Sequence, residues 1–442
     1  MKQYETYKDS GVEWLGEVPE NWESWKISHA FKKVGSGTTP QSGNPIYYEN
    51  GTINWLNTGD LNDGILYSCA KKVTPKALED NSSLKLYPKG SLVIAMYGAT
   101  IGKTALLQFE TTTNQACCIF NESEIIDIHF LQYWFKGNKE HIINLAIGGG
   151  QPNISQDILK GIRLYCPSKE EQTQIAKYLN HKTEQLDSLI AKKEQLIQLL
   201  QEERTAMINQ AVTKGLDPNV PMKDSGIEWL GEIPAHWENY RIDWVTTIVR
   251  GNTAFKRDEL LKKGEYVALQ YGKTYKVDIV DDSFNFFVNN EFYKESQIVS
   301  KGDTILISTS ETVEDLGHTC YYDKENIGLL GGEQILLKPN REILYEKYLY
   351  QYARQFCLEL RKFAKGLKVF RFNTNDLKRL FIAIPSIEEQ ISISNYLDIE
   401  ATRIDSLVLN YKEEIELLKE YKTALISEVI TGKVDVREEF IN

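Results

Sequence analysis

The sequence predicts an α+β protein: two tandem domains of curled mixed sheet plus helices, separated by two long coiled-coil helices. Three observations predict it. A stretch from Pro167 to Gly215 returns as Pro385 to Lys433, and a shorter one from Asp9 to Glu23 returns as Asp224 to Glu238. Each short copy is followed by a large segment of β-like runs and helical patches.

The long copies share, at constant offset, Pro167/Pro385, Ser168/Ser386, Glu170/Glu388, Glu171/Glu389, Gln172/Gln390, Ile175/Ile393, Tyr178/Tyr396, Leu179/Leu397, Asp187/Asp405, Ser188/Ser406 and Leu189/Leu407. Neither holds an internal Gly or Pro, and apolar residues return every seven positions with a second set four later, which reads as a coiled-coil helix. The expected seam is Leu179, Leu186, Leu200 and Met207 beside Ile190, Ile197 and Ala211 in the first copy. In the second it is Leu397, Ile404, Tyr411, Leu418 and Leu425 beside Ala401, Val408, Ile415 and Val429. So narrow a stripe on a helix of roughly 40 residues, ~60 Å at 1.5 Å per residue, needs a partner of similar length. The other copy is the expected partner. Arg204 and Lys422 occupy equivalent places, and Lys193 aligns with Tyr411; a polar residue in such a seam fixes register at some cost in stability.

The short repeat differs by little more than Val/Ile exchanges. Trp14, Leu15, Pro19 and Trp22 read as an apolar clip with a turn at the proline, a packing element. Between the first long helix and the second clip, the Gly/Pro-rich run Thr213-Lys-Gly-Leu-Asp-Pro-Asn-Val-Pro221 reads as a linker. The expected domains are therefore residues 1–166, a spacer helix at 167–213, residues 214–384, and a second spacer helix with the C-terminal tail at 385–442.

Within the large segments, Ile53–Leu56, Leu92–Tyr97 and Cys117–Phe120 read as strands, as do Tyr266–Leu269, Thr304–Ser308 and Gln334–Leu337. Helical patches are expected at Phe130–Phe135 with 141–147, and at Leu344–Ala364. The segments also match loosely. Lys89-Gly-Ser-Leu-Val-Ile answers to Lys301-Gly-Asp-Thr-Ile-Leu, Gly102-Lys-Thr to Gly317-His-Thr, Asn114-Gln-Ala to Glu333-Gln-Ile, and Asn153…Asp157 to Asn373…Asp376.

Bulk properties fit this layout. At 442 residues the chain exceeds one ordinary core, and 26% charged with 42% hydrophobic residues describes a globular protein. No run of 18 apolar residues could span a membrane, and the polar Met1-Lys-Gln-Tyr-Glu5 start has no signal-peptide core, so a cytoplasmic protein without membrane contact is expected. Net charge is −11, but residues 386–442 hold 6 Lys/Arg against 13 Asp/Glu, so most of the excess belongs to the last helix and tail. The two large segments are near neutral and can each present a basic face.

The chemistry of a catalytic site is not written in the sequence. Six cysteines show no C-x-x-C pair, and six scattered histidines show no metal-ligand spacing, so no metal site is expected. Gly98-Ala-Thr-Ile-Gly-Lys-Thr104 invites a phosphate-loop reading, but it has three residues between its glycines where four are needed and leads into a strand-like run. The position equivalent to Lys103 is His318. No amino-methyltransferase tetrapeptide, G-x-S-x-G elbow or H-E-x-x-H is present. The chain reads as a non-catalytic protein. A coiled-coil scaffold that binds only protein, or a nucleotide-binding enzyme using Gly98–Thr104, are the competing readings.

The order and duplication of several motifs resemble the specificity subunit of Type I restriction–modification systems. They are Gly11-Val-Glu-Trp-Leu-Gly-Glu-Val-Pro-Glu-Asn-Trp22 with its second copy, Gly35-Ser-Gly-Thr-Thr-Pro40, Trp55-Leu-Asn-Thr-Gly-Asp-Leu61, Gly98…Ile101-Gly102 with Asn114-Gln115, and Pro167…Glu171-Gln172…Ile175 with its repeat. The second segment departs from the pattern, with Gly251-Asn-Thr-Ala254 in place of Gly-Thr-Thr-Pro.

The resemblance implies two target-recognition domains in a pseudo-twofold arrangement, each reading half of a bipartite double-stranded DNA target, separated by two long antiparallel coiled-coil helices that set the spacer and dock DNA methyltransferase subunits, two being expected. It implies no cofactor in this chain: S-adenosylmethionine belongs to the methyltransferase, and ATP and Mg to a nuclease (restriction/translocase) subunit where one joins. Read from charge alone, Glu170/Glu171 and Glu388/Glu389 are expected on outer helix faces, either docking partner subunits or simply solvated.

Base readout requires polar loop side chains, with Lys/Arg placed on phosphates. The DNA-binding candidates in the first domain are Lys32, Lys33, Ser36, Thr38, Thr39, Gln41, Asn57, Thr58, Tyr97, Thr100, Lys103, Gln151 and Asn153. In the second they are Arg250, Asn252, Lys256, Arg257, Gln270, Tyr271, Lys273, Thr309, Thr312, Lys365, Lys368, Arg371 and Asn373. Arg354, Arg361, Lys362, Lys365, Lys368 and Arg371 form a basic group interrupted only by Glu359.

Overall fold

A computed structural model describes residues 2–146, 153–366 and 368–439. The two long repeats are single helices, Lys169–Lys214 and Ile387–Ile430, of 46 and 44 residues. Each begins after a Pro-Ser pair. Ser168 Oγ accepts from Glu171 N and Ser386 Oγ from Glu389 N, both at 3.3 Å, which satisfies a backbone donor that the first turn leaves open. Each ends near a glycine in the left-handed region, Gly215 at φ +76° and Gly432 at φ +75°.

The chain divides into two compact units, residues 1–193 with 412–442, and residues 194–411. The divisions fall inside both long helices, at the equivalent positions Lys193 and Tyr411, and not at the helix ends. Each unit therefore contains half of each helix.

Every expected seam residue is shielded. Leu179, Ile190, Leu397, Ile404, Ile415 and Leu425 are buried, and Leu186, Ile197, Leu200, Met207, Val408, Tyr411 and Leu418 half-buried. In the first unit Asp187 pairs with Lys422 at 2.6 Å and Lys193 pairs with Glu414, so the partner number falls as the helix advances and the halves run antiparallel. In the second unit Arg204 grips Asp405 through two 2.9 Å bonds, and Tyr396 Oη meets Met207 Sδ at 3.9 Å, again antiparallel. Asp187–Lys422 and Asp405–Arg204 are the same pair of repeat positions with the helices exchanged.

The globular parts share one architecture. In the first unit a five-stranded sheet has the order Lys33–Gly35, Cys117–Asn121, Leu92–Ala95, Thr104–Leu107 and Ile65–Leu66, antiparallel except at its last pair. A three-stranded sheet joins Thr112–Thr113, Ile53–Leu56 and Lys72–Val73. In the second unit the five strands are Thr246–Arg250, Gln334–Pro339, Thr304–Ile307, Thr319–Tyr322 and Ile279–Val280, again with only the last pair parallel. The smaller sheet there has four strands, Phe287–Val288, Tyr266–Leu269, Gly328–Leu330 and Ile298–Val299. The expected strands are present: Ile53–Leu56 and Tyr266–Leu269 have the predicted bounds, and the other four end one or two residues from them. The helical patches are Ile128–Gly137 with Lys139–Asn144, and Glu346–Leu360 followed by a short 3-10 turn. Ile147 lies outside the described residues.

A buried glutamine fastens each long helix to its domain. Gln172 Oε1 accepts from Asp127 N at 2.8 Å while its Nε2 donates to the carbonyls of Ile125 and Pro167. Gln390 repeats this with Tyr345 N, Ile343 and Pro385. Glu171 and Glu389, expected on outer faces, are turned inward: Glu171 accepts from Tyr4 Oη at 2.6 Å, and Glu389 from Trp237 Nε1 at 3.1 Å with His236 at 2.9 Å. A carboxylate placed there can meet buried donors just where the helix dipole favours negative charge. Only Glu170 and Glu388 face solvent.

The clips are packing elements. Tyr7–Asp9 pairs antiparallel with Glu17–Pro19, and Met222–Asp224 with Glu232–Pro234, and Trp22 and Trp237 are fully buried. Each clip receives the C-terminal end of a long helix. A Cβ on Gly432 would lie 2.4 Å from Pro19 and 3.2 Å from Trp22, and one on Gly215 would lie 3.3 Å from Trp237. The first core thus takes in Leu425, Val429 and Ile430, and the second Ile208, Ala211 and Val212. Gly432→Ala should therefore cost roughly 2–4 kcal/mol, from the left-handed backbone and the overlap with Pro19. Gly161→Ala, with open space around its Cβ, should stay within about 0.5 kcal/mol. Urea unfolding of the two variants checks both.

Candidate nucleic-acid interface

In the first unit five loops converge at one end of the two sheets. Gly37 N donates to Thr113 Oγ1 at 2.9 Å and Trp55 Nε1 to the Thr38 carbonyl at 3.2 Å, which ties the 36–41 loop to the smaller sheet. A Cβ on Gly37 would lie 1.8 Å from the Thr113 carbonyl oxygen, so only glycine permits this approach. Asn114 Nδ2 donates to Asn57 Oδ1 at 3.1 Å, Thr39 Oγ1 to Gln115 Oε1 at 2.8 Å, and Tyr97 bridges to Asn153. Burial, then the neighbouring Cys117, holds the Tyr97 hydroxyl above the usual phenol range, so it stays a neutral donor. Ser36, Thr38, Thr39, Asn57, Thr58, Tyr97 and Asn153 are thus brought together, all exposed or half-buried.

The remaining candidates of this domain are dispersed. Gln41 is exposed on the outer part of its loop, and Thr100 and Lys103 sit in the turn between Leu92–Ala95 and Thr104–Leu107. That turn is a 3-10 turn at Gly98–Thr100 leading into a strand, with no helix to complete a phosphate loop. Lys32 and Lys33 lie at the opposite end of their strand, paired with Glu124 at 2.7 Å and Glu122 at 3.8 Å. Gln151 lies outside the described residues.

The second unit forms the corresponding edge with other side chains. Gly251 N donates to the Gln334 carbonyl at 2.9 Å, Gly332 N to that of Thr253 at 2.7 Å, and Gln334 Nε2 to that of Leu269 at 2.6 Å. A Cβ on Gly251 would lie 1.9 Å from the Gly331 carbonyl oxygen, the counterpart of the Gly37 approach. Arg250, Asn252, Gln270 and Tyr271 line one concavity with Phe255 and Glu333. Burial raises the Tyr271 hydroxyl, and the carboxylates of Glu311, Glu333 and Asp315 add to the shift. Strand Thr309–Ser310 pairs with Phe370–Arg371, which brings Thr309 and Arg371 to the same edge.

The other second-domain candidates divide. Arg257 and Lys273 line a neighbouring concavity with Lys262 and Lys263. Lys256 is exposed beside them, 4.0 Å from Glu259. Lys365 and Lys368 are exposed, and Lys365 pairs through its backbone with Arg371. Thr312 is bonded to Asp315 at 2.6 Å, and the Asn373 side-chain oxygen caps the helix Thr374–Leu377. The basic group is partly neutralised: Arg354 lies 3.7 Å from Asp278, Lys362 2.5 Å from Glu359, and Arg371 3.7 Å from Glu333, while Arg361 donates to the Leu316 carbonyl.

Two segments, residues 19–201 and 234–417, match the family described as Type I restriction modification DNA specificity domain. The chain belongs to this family. A specificity subunit of the MjaVIII Type I restriction enzyme of Methanocaldococcus jannaschii is 25% identical over 434 residues, covering 95% of this chain and 94% of that protein. That of EcoR124I/EcoR124II from Escherichia coli is 26% identical over 184 residues, 40% of this chain and 44% of that protein. The fold is shared with the HsdS subunit of Thermoanaerobacter tengcongensis, at TM-score 0.58 and 15% identity over 94% of this chain and 98% of that one. A chain solved in a study of assembly and conformational transition of the Type I R-M system gives TM-score 0.73 at 15% identity, covering 94% and 99%.

Within this family frame the edge contains residues that sequence reasoning did not single out as contacts. Gln115 and Glu333 occupy the edge because they flank strands Cys117–Asn121 and Gln334–Pro339, and Lys262 and Lys263 join Arg257 and Lys273 in one basic hollow. The Lys-Lys dipeptide was the available signal. Among the described residues no group of three or more His, Cys, Asp and Glu is placed to hold a metal ion, and no helix is long and apolar enough to cross a membrane. If the basic hollow holds phosphate, Lys262→Glu with Lys263→Glu should weaken binding similarly for every DNA sequence and lower the slope of log affinity against log salt by roughly one per lost phosphate contact. Titrations of the assembled complex between 50 and 200 mM salt, about the range in which such contacts are felt, check this.

Proposed function

We propose that this chain is the DNA sequence-recognition subunit of a Type I restriction–modification complex, each domain reading one half of a bipartite target through its convergent loop edge. One observation carries the division of labour. The same sheet order and the same glycine close approach occur twice, while the side chains at corresponding places differ. Gly37-Thr-Thr-Pro40 faces Gly251-Asn-Thr-Ala254, Asn114 faces Gly331, Ala116 faces Glu333, and the short Gly98–Thr100 turn faces the longer, acidic 310–315 segment. Two frames of one kind bearing unlike polar groups suit two unlike half-sites, because base identity is read by side-chain donors and acceptors in the major groove.

The long helices, in this reading, set the number of base pairs between half-sites and dock two methyltransferase subunits. At 1.5 Å per residue they run about 65–70 Å, roughly two turns of B-DNA. Support for docking comes from apolar side chains left exposed on helix faces away from the seam: Leu189 and Leu417 in the first unit, Leu199, Ile399 and Leu409 in the second. S-adenosylmethionine is assigned to the methyltransferase, and ATP with Mg to a nuclease subunit where one joins.

The isolated chain should neither methylate nor cleave DNA. With methyltransferase subunits and S-adenosylmethionine it should direct methylation to one bipartite motif, mapped by sequencing modified bases. Exchanging residues 1–166 for the same segment of a relative should change one half of the motif and leave the other intact. Methylation indifferent to the exchange would refute the reading.

A further inference from the structure

We propose that Glu333 is a specificity-determining residue of the second domain, its carboxylate accepting a hydrogen bond from the exocyclic amino group of a cytosine or adenine in that domain's half-site. The proposal rests on the DNA-reading role set out above. Glu333 ends the turn Gly331-Gly332-Glu333 between strands Gly328–Leu330 and Gln334–Pro339. The turn is held from three sides: Gly331 N donates to the Leu269 carbonyl at 3.0 Å, Gly332 N to that of Thr253 at 2.7 Å, and Ser308 N to that of Glu333 at 3.1 Å.

Glu333 itself has φ +61°, a left-handed conformation that non-glycine residues rarely adopt and that fixes the direction in which its side chain leaves the turn. The carboxylate is further held by the Thr309 hydroxyl, with the Arg371 guanidinium 3.7 Å away. Its side chain is still 49% exposed, and an ionised carboxylate offers about four acceptor positions, so most of its capacity faces outward.

The chemistry narrows what it can meet. A carboxylate repels phosphate, so on an edge where Arg250 and Tyr271 line the same concavity its direct contact with DNA is the acceptance of a hydrogen bond from a base donor. In the major groove those donors are the amino groups of cytosine and adenine. The contrast with the first domain is informative. Strand register overturns the sequence match of Asn114 with Glu333: Asn114 N donates to the Leu56 carbonyl as Gly331 N does to that of Leu269, and Met96 N donates to the Ala116 carbonyl as Ser308 N does to that of Glu333, so the place of Glu333 is held in the first domain by Ala116, whose methyl offers no acceptor. Glu333 is held by its neighbours and keeps acceptor capacity for a ligand.

The test uses the complex with methyltransferase subunits, S-adenosylmethionine and DNA randomised in both half-sites, methylation being read by sequencing. Glu333→Gln, which keeps shape and exchanges one acceptor oxygen for a donor, should change base preference roughly tenfold at one position of the second half-site and leave the first unchanged. Wild-type preference for cytosine or for adenine at that position identifies the base. Thr309→Val, which leaves the carboxylate in place and removes its hydroxyl donor, should weaken preference at the same position, and stands in for Glu333→Gln should that variant fail to assemble. Preferences within twofold of wild type at every position, or an equal loss on all sequences, would overturn the proposal. Wild-type methylation without preference at either half-site would instead overturn the DNA-reading role.

Discussion

The structure depends on a stripe of apolar side chains too narrow to be buried in a globule and too long to be left in water. Leu179, Ile190, Leu397, Ile404, Ile415 and Leu425 are covered because a second helix of nearly equal length runs the other way along the first. Burial of such side chains is worth ~1.5–3 kcal/mol each, so the seam outweighs the ion pairs beside it, which are largely solvent-exposed and contribute about 0–1 kcal/mol each. What those pairs add is direction. Asp187 with Lys422 and Asp405 with Arg204 can form only if the helices are antiparallel and in one register, and a slip by one heptad would part both pairs.

Anchoring follows from that pairing. Each unit holds the start of one long helix and the end of the other, and both are fixed within it. Gln172 and Gln390 fix the starts with three bonds each, and a buried amide left unpaired would cost about 1–3 kcal/mol. Gly432 and Gly215 fix the ends inside the clips. The two ends are similar and not identical. Glu389 takes the indole proton of Trp237, whereas Glu171 is engaged by Tyr4, and Trp22 Nε1 finds no acceptor among the described residues.

Much of this was legible in the sequence, because repetition converts weak periodic signals into strong ones. The helices, their seam, the clips and strands such as Ile53–Leu56 and Tyr266–Leu269 follow from residue spacing and β-branched or aromatic content. The site was less legible, because nearness along the chain does not settle which end of a strand a residue occupies. Lys32 and Lys33 are three or four residues from Ser36, yet a three-residue strand carries them to the far end, where Glu122 and Glu124 hold them. The Asn373 side-chain oxygen caps a helix, which its place in the sequence did not announce, and the basic group near Arg361 looks continuous in sequence but meets Asp278, Glu359 and Glu333 in space. Carboxylates distant in sequence decide which cations remain available, and no local pattern reveals them.

The same physics explains how two recognition edges can differ on one frame. At both edges the closest approaches of the loop backbone are made by glycine and main chain: Gly37 against the Thr113 carbonyl, Gly251 against that of Gly331, and the matching bonds from Asn114 N to the Leu56 carbonyl and Gly331 N to that of Leu269. Replacing either glycine would push the loops apart, since a Cβ would lie within 2 Å of a carbonyl oxygen. Replacing the next residue leaves the backbone path unchanged and alters only what is presented, as Thr38 and Asn252 illustrate. Conformation is therefore set by glycine and main chain, and chemistry by the side chains between them. This separation lets each edge change the bases it reads while the sheets beneath it and the helix anchors beside it stay as they are.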